Sequence, residues 1–316
     1  MLPGARANRF YMAFQLHARI GVDLDLGPLA GAHVVQVGFL EIRLDPRPAE
    51  RHHGEQWRRR LDLFAALDAE VHDHAIDRGT YPADLLRQLA AAGAMSAHLA
   101  APAGVGDYGL AIRAMAEASR VCGATGFMMW CQAVCGLYLE QSGNPALTGD
   151  ALMQMASGQR LGGTALSNPM KSYAQIESLL LKATPVEGGY LVNGTLPWVS
   201  NLGPDHYFGA IASVQVDGAC AGREMMFMLR CDAPGVTLKT CPEFSGMEGT
   251  GTYSVHCKDL FVGSDDVVAD PAKPYIARIR GGFVLLQCGI AAGIVQGKPH
   301  LTTQPIDCPG KTLSWP

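Results

Sequence analysis

The chain reads as an α+β protein. It has a helical N-terminal domain, a central antiparallel, β-barrel-like domain and the start of a C-terminal helical bundle. Three observations predict this. Apolar residues recur at three- and four-residue spacing from Trp57 onward. Beyond Leu161 the period moves towards two, with turn residues between short runs. A largely apolar helix, Phe283 to Val295, then follows Gly281-Gly282. The expected divisions are an irregular N-terminal segment (1–56), the helical domain (57–150), the β domain (151–270) and a truncated C-terminal helical segment (271–316).

Residues 1–56 hold short β-like pieces without a clean period and lead through DPRPAERHHGE, a linker-like stretch. Trp57, Leu61, Phe64, Leu67, Val71 and His74 make one helical stripe. Tyr81-Pro82 opens a second helix, striped by Leu85, Leu86 and Leu89, with Gly93 as its left-handed cap. The glycine-rich run Pro102–Gly109 follows no clear strand and lacks the spacing of a dinucleotide or phosphate loop, so it is read as a connector. Leu110–Val121 and Thr125–Ser142 complete the helical part. Strands are expected at Tyr207–Val216, Met225–Leu229, Val236–Leu238 and Tyr253–Val262, divided by turns such as Glu187-Gly188-Gly189 and Asp232-Ala233-Pro234-Gly235. Helix 283–295 is apolar on nearly every side and expects burial among other helices. The chain after Lys298 is proline-broken and offers it no partner.

The 316 residues are 48% hydrophobic and 17% charged, with a net charge of −4. Such a chain builds a core and makes no electrostatic case for nucleic acid. Arg58-Arg59-Arg60 reads as a solvated helix face. Nine dispersed cysteines suit a reducing compartment, the cytoplasm. Cys131 and Cys135 lie one helical turn apart without companion ligands and read as buried thiols; His72 and His74 diverge on a helix. No metal set emerges. The best apolar run, 13 residues at 283–295, is too short for a bilayer core, so no membrane span is expected.

The most informative stretch is Leu161–Asn201. Two small-polar segments, Leu166-Ser167-Asn168-Pro169 and Trp198-Val199-Ser200-Asn201, flank a hairpin-like run that would carry both onto one sheet. An aromatic face beside hydroxyls and backbone N–H groups can hold a flat, polar-edged heterocycle such as a flavin. The alternative is that Trp198 is a core aromatic and Ser167 a turn residue. Glu243 and Glu248 are carboxylates in turn-rich sequence and read as solvated loop groups, so no catalytic residue is assigned.

In order and spacing, several motifs together resemble the acyl-CoA dehydrogenase family of flavoproteins. They are Tyr81-Pro82 with Leu89–Gly93, LSNP at 166–169, GGYLVNGTLPWVSN at 188–201, DAPGV at 232–236, FSGMEGTGT at 244–252 and GFVLLQCGIAAGIVQG at 282–297. The likeness covers about residues 60–297. It implies bound FAD, with Leu166 and Ser167 at the pyrimidine edge of the ring, Trp198 packed near it and Ser200 reaching its N5 region. It also implies an acyl-CoA substrate, α,β-dehydrogenation and a homo-oligomer. The sequence departs from the family at two places. Asn168 stands where the family has an acid before the proline. Met170-Lys171-Ser172-Tyr173-Ala174 replaces its Gly-x-Gly-Ser-Asp loop. The family's glutamate base belongs to the later part of the helical bundle and has no counterpart here. These departures motivate two further readings: a flavin-dependent monooxygenase on the same fold, and an inactive truncated relative.

Overall fold

The computed structural model describes residues 79–100, 106–241 and 246–301, with side chains to residue 297. The Trp57–His74 stripe, Arg58–Arg60, Glu243 and the stretch after residue 301 lie outside the described residues. Helix α1 (Ala83–Ala91) starts behind Pro82 and buries Leu85, Leu86 and Leu89. Gly93, at φ 83°, turns the chain away from it. Helix α2 (Tyr108–Val121) is capped by Asp107, whose carboxylate accepts from the Leu110 N–H at 2.8 Å. Helix α3 (Gly123–Glu140) is buried along nearly its whole length, as its all-round apolar sequence requires. Cys131 and Cys135 are buried there, and burial pushes both thiols up, so they stay protonated.

Two short helices, α4 (Pro145–Thr148) and α5 (Asp150–Ala156), lead to β1 (Gly162–Thr164). Polar groups on α3 fix β1 in place. The Gln132 amide donates to the carbonyls of Met155 and Arg160, both at 2.8 Å, and accepts from the Gly162 N–H at 2.9 Å. Tyr138 and Thr164 share a 2.6 Å hydroxyl bond. A buried amide with every hydrogen-bonding group used specifies one arrangement.

The described strands continue with β2 (Leu181–Val186), β3 (Gly189–Val199), β4 (Tyr207–Val216), β5 (Ala219–Arg230), β6 (Val236–Thr240), β7 (Tyr253–Gly263) and β8 (Val267–Ala269). They form one sheet in the order β6-β7-β3-β2-β4-β5-β8, with β1 beside β4. The ladders are antiparallel except that β1 and β2 run parallel to β4. The sequence expectation was antiparallel pairing only. A chain that leaves β3 and re-enters on the far side of β2 must run with β2, and period-two patterning carries no information on that choice.

β4 and β5 are buried on both faces. Phe208, Ala210, Ala212, Met225 and Phe227 face a core enclosed by the sheet itself, whereas Ile211, Met226 and Met228 face the helices. The sheet is strongly curled: Tyr190 of β3 and Arg223 of β5, with two strands between them, both bind the Asp270 carboxylate.

A helix replaces one expected sheet segment. Residues Ser167–Tyr173 form α6, so Leu166-Ser167-Asn168-Pro169 is a helix start and not part of the sheet. Pro169 lies in the first turn, where its missing N–H costs nothing.

The last helix, α7 (Ala272–Leu301), is 30 residues long, far longer than the 13-residue run read from the sequence. By length and composition alone its Ala272–Gly297 stretch is sufficient to cross a membrane. In this fold one face is packed. Ile276, Ile279 and Leu286 join the helical core. Gly289, Gly293 and Gly297 let the backbones of α7 and α2 meet: a Cβ at these positions would overlap the carbonyls of Ile112, Ala116 and Arg120. The opposite face, with Val284, Leu285, Ile294 and Val295, is open among the described residues, contrary to the expected all-round burial.

Two predictions follow from this packing. Gly293→Val forces the helices apart and lowers the unfolding free energy in urea by about 1–3 kcal/mol. Gly281→Ala, with nothing within 4 Å of the added carbon, raises it by about 0.5–1 kcal/mol. A separate prediction concerns His98, which is buried and bonds the Ala133 carbonyl through Nε2 at 3.0 Å. A carbonyl only accepts, so Nε2 holds the proton and Nδ1 is left bare, without a partner among the described residues. Burial pulls the His98 pKa down to about 4. Below about pH 6.5 the unfolded chain takes up a proton that the folded chain refuses. Stability therefore falls between about pH 6.5 and about pH 4, by up to about 3 kcal/mol from this group. Chemical denaturation across that range, compared with His98→Gln, measures it; the variant shows a shallower decline.

Candidate functional site

The candidate site forms where β3 ends. Between Leu196 and Val199 the β3–β7 ladder slips, opening a bulge at Pro197-Trp198. Val199 returns to the sheet core, while Trp198 is turned outward with 61% of its surface exposed. Its backbone is left-handed, at φ 54°, a conformation that costs a non-glycine residue of order 1 kcal/mol. A bulge of this kind re-aims a side chain. Trp198 is therefore not a core aromatic.

Beyond it lies a row of hydroxyls. Ser200 Oγ is 2.7 Å from Thr252 Oγ1, which is 2.8 Å from Thr250 Oγ1. Thr250 donates to the Met247 carbonyl at 2.7 Å. That carbonyl fixes the direction of the row. Thr250 has spent its proton, so it accepts from Thr252, and Thr252 in turn accepts from Ser200. Ser200 is left presenting lone pairs.

Asn201, fully buried, ties the site together. Its amide donates to the Gly162 carbonyl at 2.7 Å and accepts from the Tyr81 hydroxyl at 2.6 Å. Its N–H donates to the Thr250 carbonyl at 2.8 Å, and its own carbonyl accepts from His206 Nδ1 at 3.1 Å. Burial lowers the His206 pKa and, more strongly, raises that of Tyr81, so both remain neutral. Asn201 is left-handed at φ 63°, which asparagine accepts more readily than most residues.

Leu166 and Ser167 approach from β1. Ala165 bonds Gly209 and belongs to the sheet core; the Leu166 side chain, one residue on, belongs to the helical core. Ser167 is exposed at the first position of α6, where backbone N–H groups lack intrahelical partners. β1 and the end of β3 are neighbours: Asn201 bonds Gly162, and a Cβ on Gly163 would overlap the Ser200 carbonyl. Sequence reasoning named Leu166, Ser167, Trp198 and Ser200 and missed Asn201, Thr250 and Thr252. The signal for the last two was the FSGMEGTGT motif, whose threonines had no assigned role. Glu248 is half-buried in a 3₁₀ turn (Glu248–Thr250). Among the described residues no group of three metal-ligating side chains forms.

Comparison with known proteins follows this geometry. Residues 52–159 match the family model "Acyl-CoA dehydrogenase, N-terminal domain". The mitochondrial isovaleryl-CoA dehydrogenase of Oryza sativa subsp. japonica is 29% identical over 248 residues, covering 76% of this chain and 59% of the relative. The benzylmalonyl-CoA dehydrogenase of Aromatoleum aromaticum is 27% identical over 189 residues, covering 56% and 48%. The chain thus spans about half to three-fifths of these relatives. Among solved structures, butyryl-CoA dehydrogenase from Megasphaera elsdenii superposes with a TM-score of 0.70 at 18% identity, covering 82% of this chain and 70% of that one. That likeness bears on fold alone. Residues 52–159 thus match the N-terminal domain model of the acyl-CoA dehydrogenase family, and the described fold is similar to that of its solved members.

Proposed function

We propose that the protein is an FAD-dependent oxidoreductase of the acyl-CoA dehydrogenase type, acting on adjacent CH groups of an acyl thioester. Similarity to acyl-CoA dehydrogenases supports the reaction class. The observation that carries the reading is Trp198, held exposed on a left-handed backbone beside the Ser200 row. Folding gains nothing from that conformation, whereas ring binding does.

The donor and acceptor set suits an isoalloxazine ring. The indole offers a flat wall, the N–H groups at the start of α6 suit carbonyl oxygens, and Ser200 suits a ring N–H. FAD, when bound, supplies the two-electron acceptor. The chain's own tasks are to orient the ring, keep the Ser200 hydroxyl in one sense and exclude water from the face next to the sheet. No described carboxylate is assigned as the base that takes the α-proton.

The open apolar face of α7 supports a homo-oligomer, since each large apolar side chain left in water forfeits about 1.5–3 kcal/mol. We read α7 as a packed helix of this fold and not a span: its glycines seat it on α2, and the stretch carries Lys273, Arg278 and Arg280. A cytoplasmic setting rests on cysteine usage alone. A flavin monooxygenase remains the second reading. It is favoured by α6, which stands where the family carries its glycine loop, and oxygen uptake with supplied reduced flavin separates it from the first.

The purified protein is expected to be yellow and to release FAD on denaturation. Anaerobic addition of a panel of acyl-CoAs bleaches the oxidised-flavin absorption; a colourless protein, or no bleaching by any member, counts against the proposal. Trp198→Gly separates the two roles of that position. It relieves the backbone and raises stability by about 1 kcal/mol in urea, and it weakens FAD binding about tenfold or more by fluorescence titration.

A further inference from the structure

The segment after α6 carries a polar arrangement centred on Asn168. Asn168 is 5% exposed and uses every group of its amide. One N–H donates to Glu177 Oε1 at 2.9 Å and the other to the Ser178 carbonyl at 2.9 Å. The amide oxygen accepts from the Leu180 N–H at 3.0 Å. Lys171 adds an ion pair to Glu177 at 3.7 Å. The rest of the turn closes on itself, with Gln175 and Ile176 N–H groups bonded to Ser172 and Lys171 carbonyls and Gln175 left-handed at φ 59°. The loop 174–180 is otherwise solvent-facing; Ile176 at its tip is 73% exposed. Leu179 packs its side chain against the helical core, and the polar ties between the loop and α6 centre on the Asn168 amide.

We propose that Asn168 is a positioning residue that locks α6 and the loop 174–180 into one body, and so fixes the Leu166-Ser167 N–H groups that receive the ring. This rests on the flavin reading given above. The residue type is diagnostic. An acid at 168 would still accept from Leu180 but has no proton for Glu177 or Ser178, and it would set two carboxylates against each other. Asn168 and Glu177 are therefore a matched pair, with donor on the helix and acceptor on the loop. The 168–177 contact is reversible: an aspartate at 168 accepts what a glutamine at 177 donates, while the Ser178 carbonyl loses its donor.

The experiment uses the full chain with Asn168→Asp, Glu177→Gln and the double variant. Two quantities are measured: hydrogen–deuterium exchange of 174–180 in the protein without ligand, and the Kd for FAD. Asn168→Asp is expected to raise exchange across the loop and weaken FAD binding about tenfold, the scale of one unsatisfied buried polar group. The double variant recovers part of both, ending closer to wild type than Asn168→Asp alone, a coupling that two independent structural lesions do not give; no recovery overturns the matched pair. Unchanged exchange in Asn168→Asp overturns the lock. Raised exchange with unchanged FAD affinity leaves a fold element and overturns the positioning role. A wild-type chain that takes up no FAD overturns the flavin reading and the positioning role with it, while the exchange data still decide the lock.

Discussion

Asn201 is the residue on which the rest of the architecture turns. One buried side chain joins the start of the helical domain through Tyr81, the first strand through Gly162 and, by its backbone, the 3₁₀ turn at Thr250. Leaving any of these groups unpaired in a dry interior costs more than the bond returns when made. The helices and the sheet therefore share a joint that is satisfied in one geometry only. The hydroxyl row and the outward indole both lie within a few residues of it. The site inherits its rigidity from a residue that touches no solvent.

Much of this was legible in the sequence, and the reason differs from element to element. Helices α1 to α3 and the strands at 207–216 and 253–263 were readable because their apolar spacing is set by the face each element buries. The position of Trp198 and Ser200 at the end of β3 was readable because a strand-end motif places them. Helix α6 was not, since seven polar and mixed residues carry no period; the amide of Asn168, whose partners come nine to twelve positions later, decides it. The parallel entry of β4 beside β2 was illegible for a different reason: strand direction is a property of the path and not of any residue. Helix α7 was underestimated because Lys273, Arg278 and Arg280 interrupt its apolar run, although each is exposed and leaves the helical hydrogen bonding intact.

Glycine has two separate uses here. In α7, Gly289, Gly293 and Gly297 sit on one stripe because the α2 backbone occupies the volume a side chain would fill. Gly281, which meets no neighbour, is open to substitution, whereas Gly282 faces the Tyr108 ring. At the hairpin between β4 and β5, Asp217 and Gly218 both have positive φ, which matches the twist of the strands they join. The same residue type is thus a spacer in one element and a hinge in the other, and only the neighbouring backbone distinguishes them.

The row from Ser200 to Met247 has a polarity, because its far end is a carbonyl that cannot give a proton back. A guest that arrives carrying hydrogen on the atom facing Ser200 extends the series without disturbing it. A guest that arrives bare must turn the Ser200 hydroxyl towards itself and so break its bond to Thr252. Under the proposed flavin reading, the row adds discrimination by hydrogen count to the flat wall of Trp198, so the two oxidation levels of one molecule would be held with unequal grip.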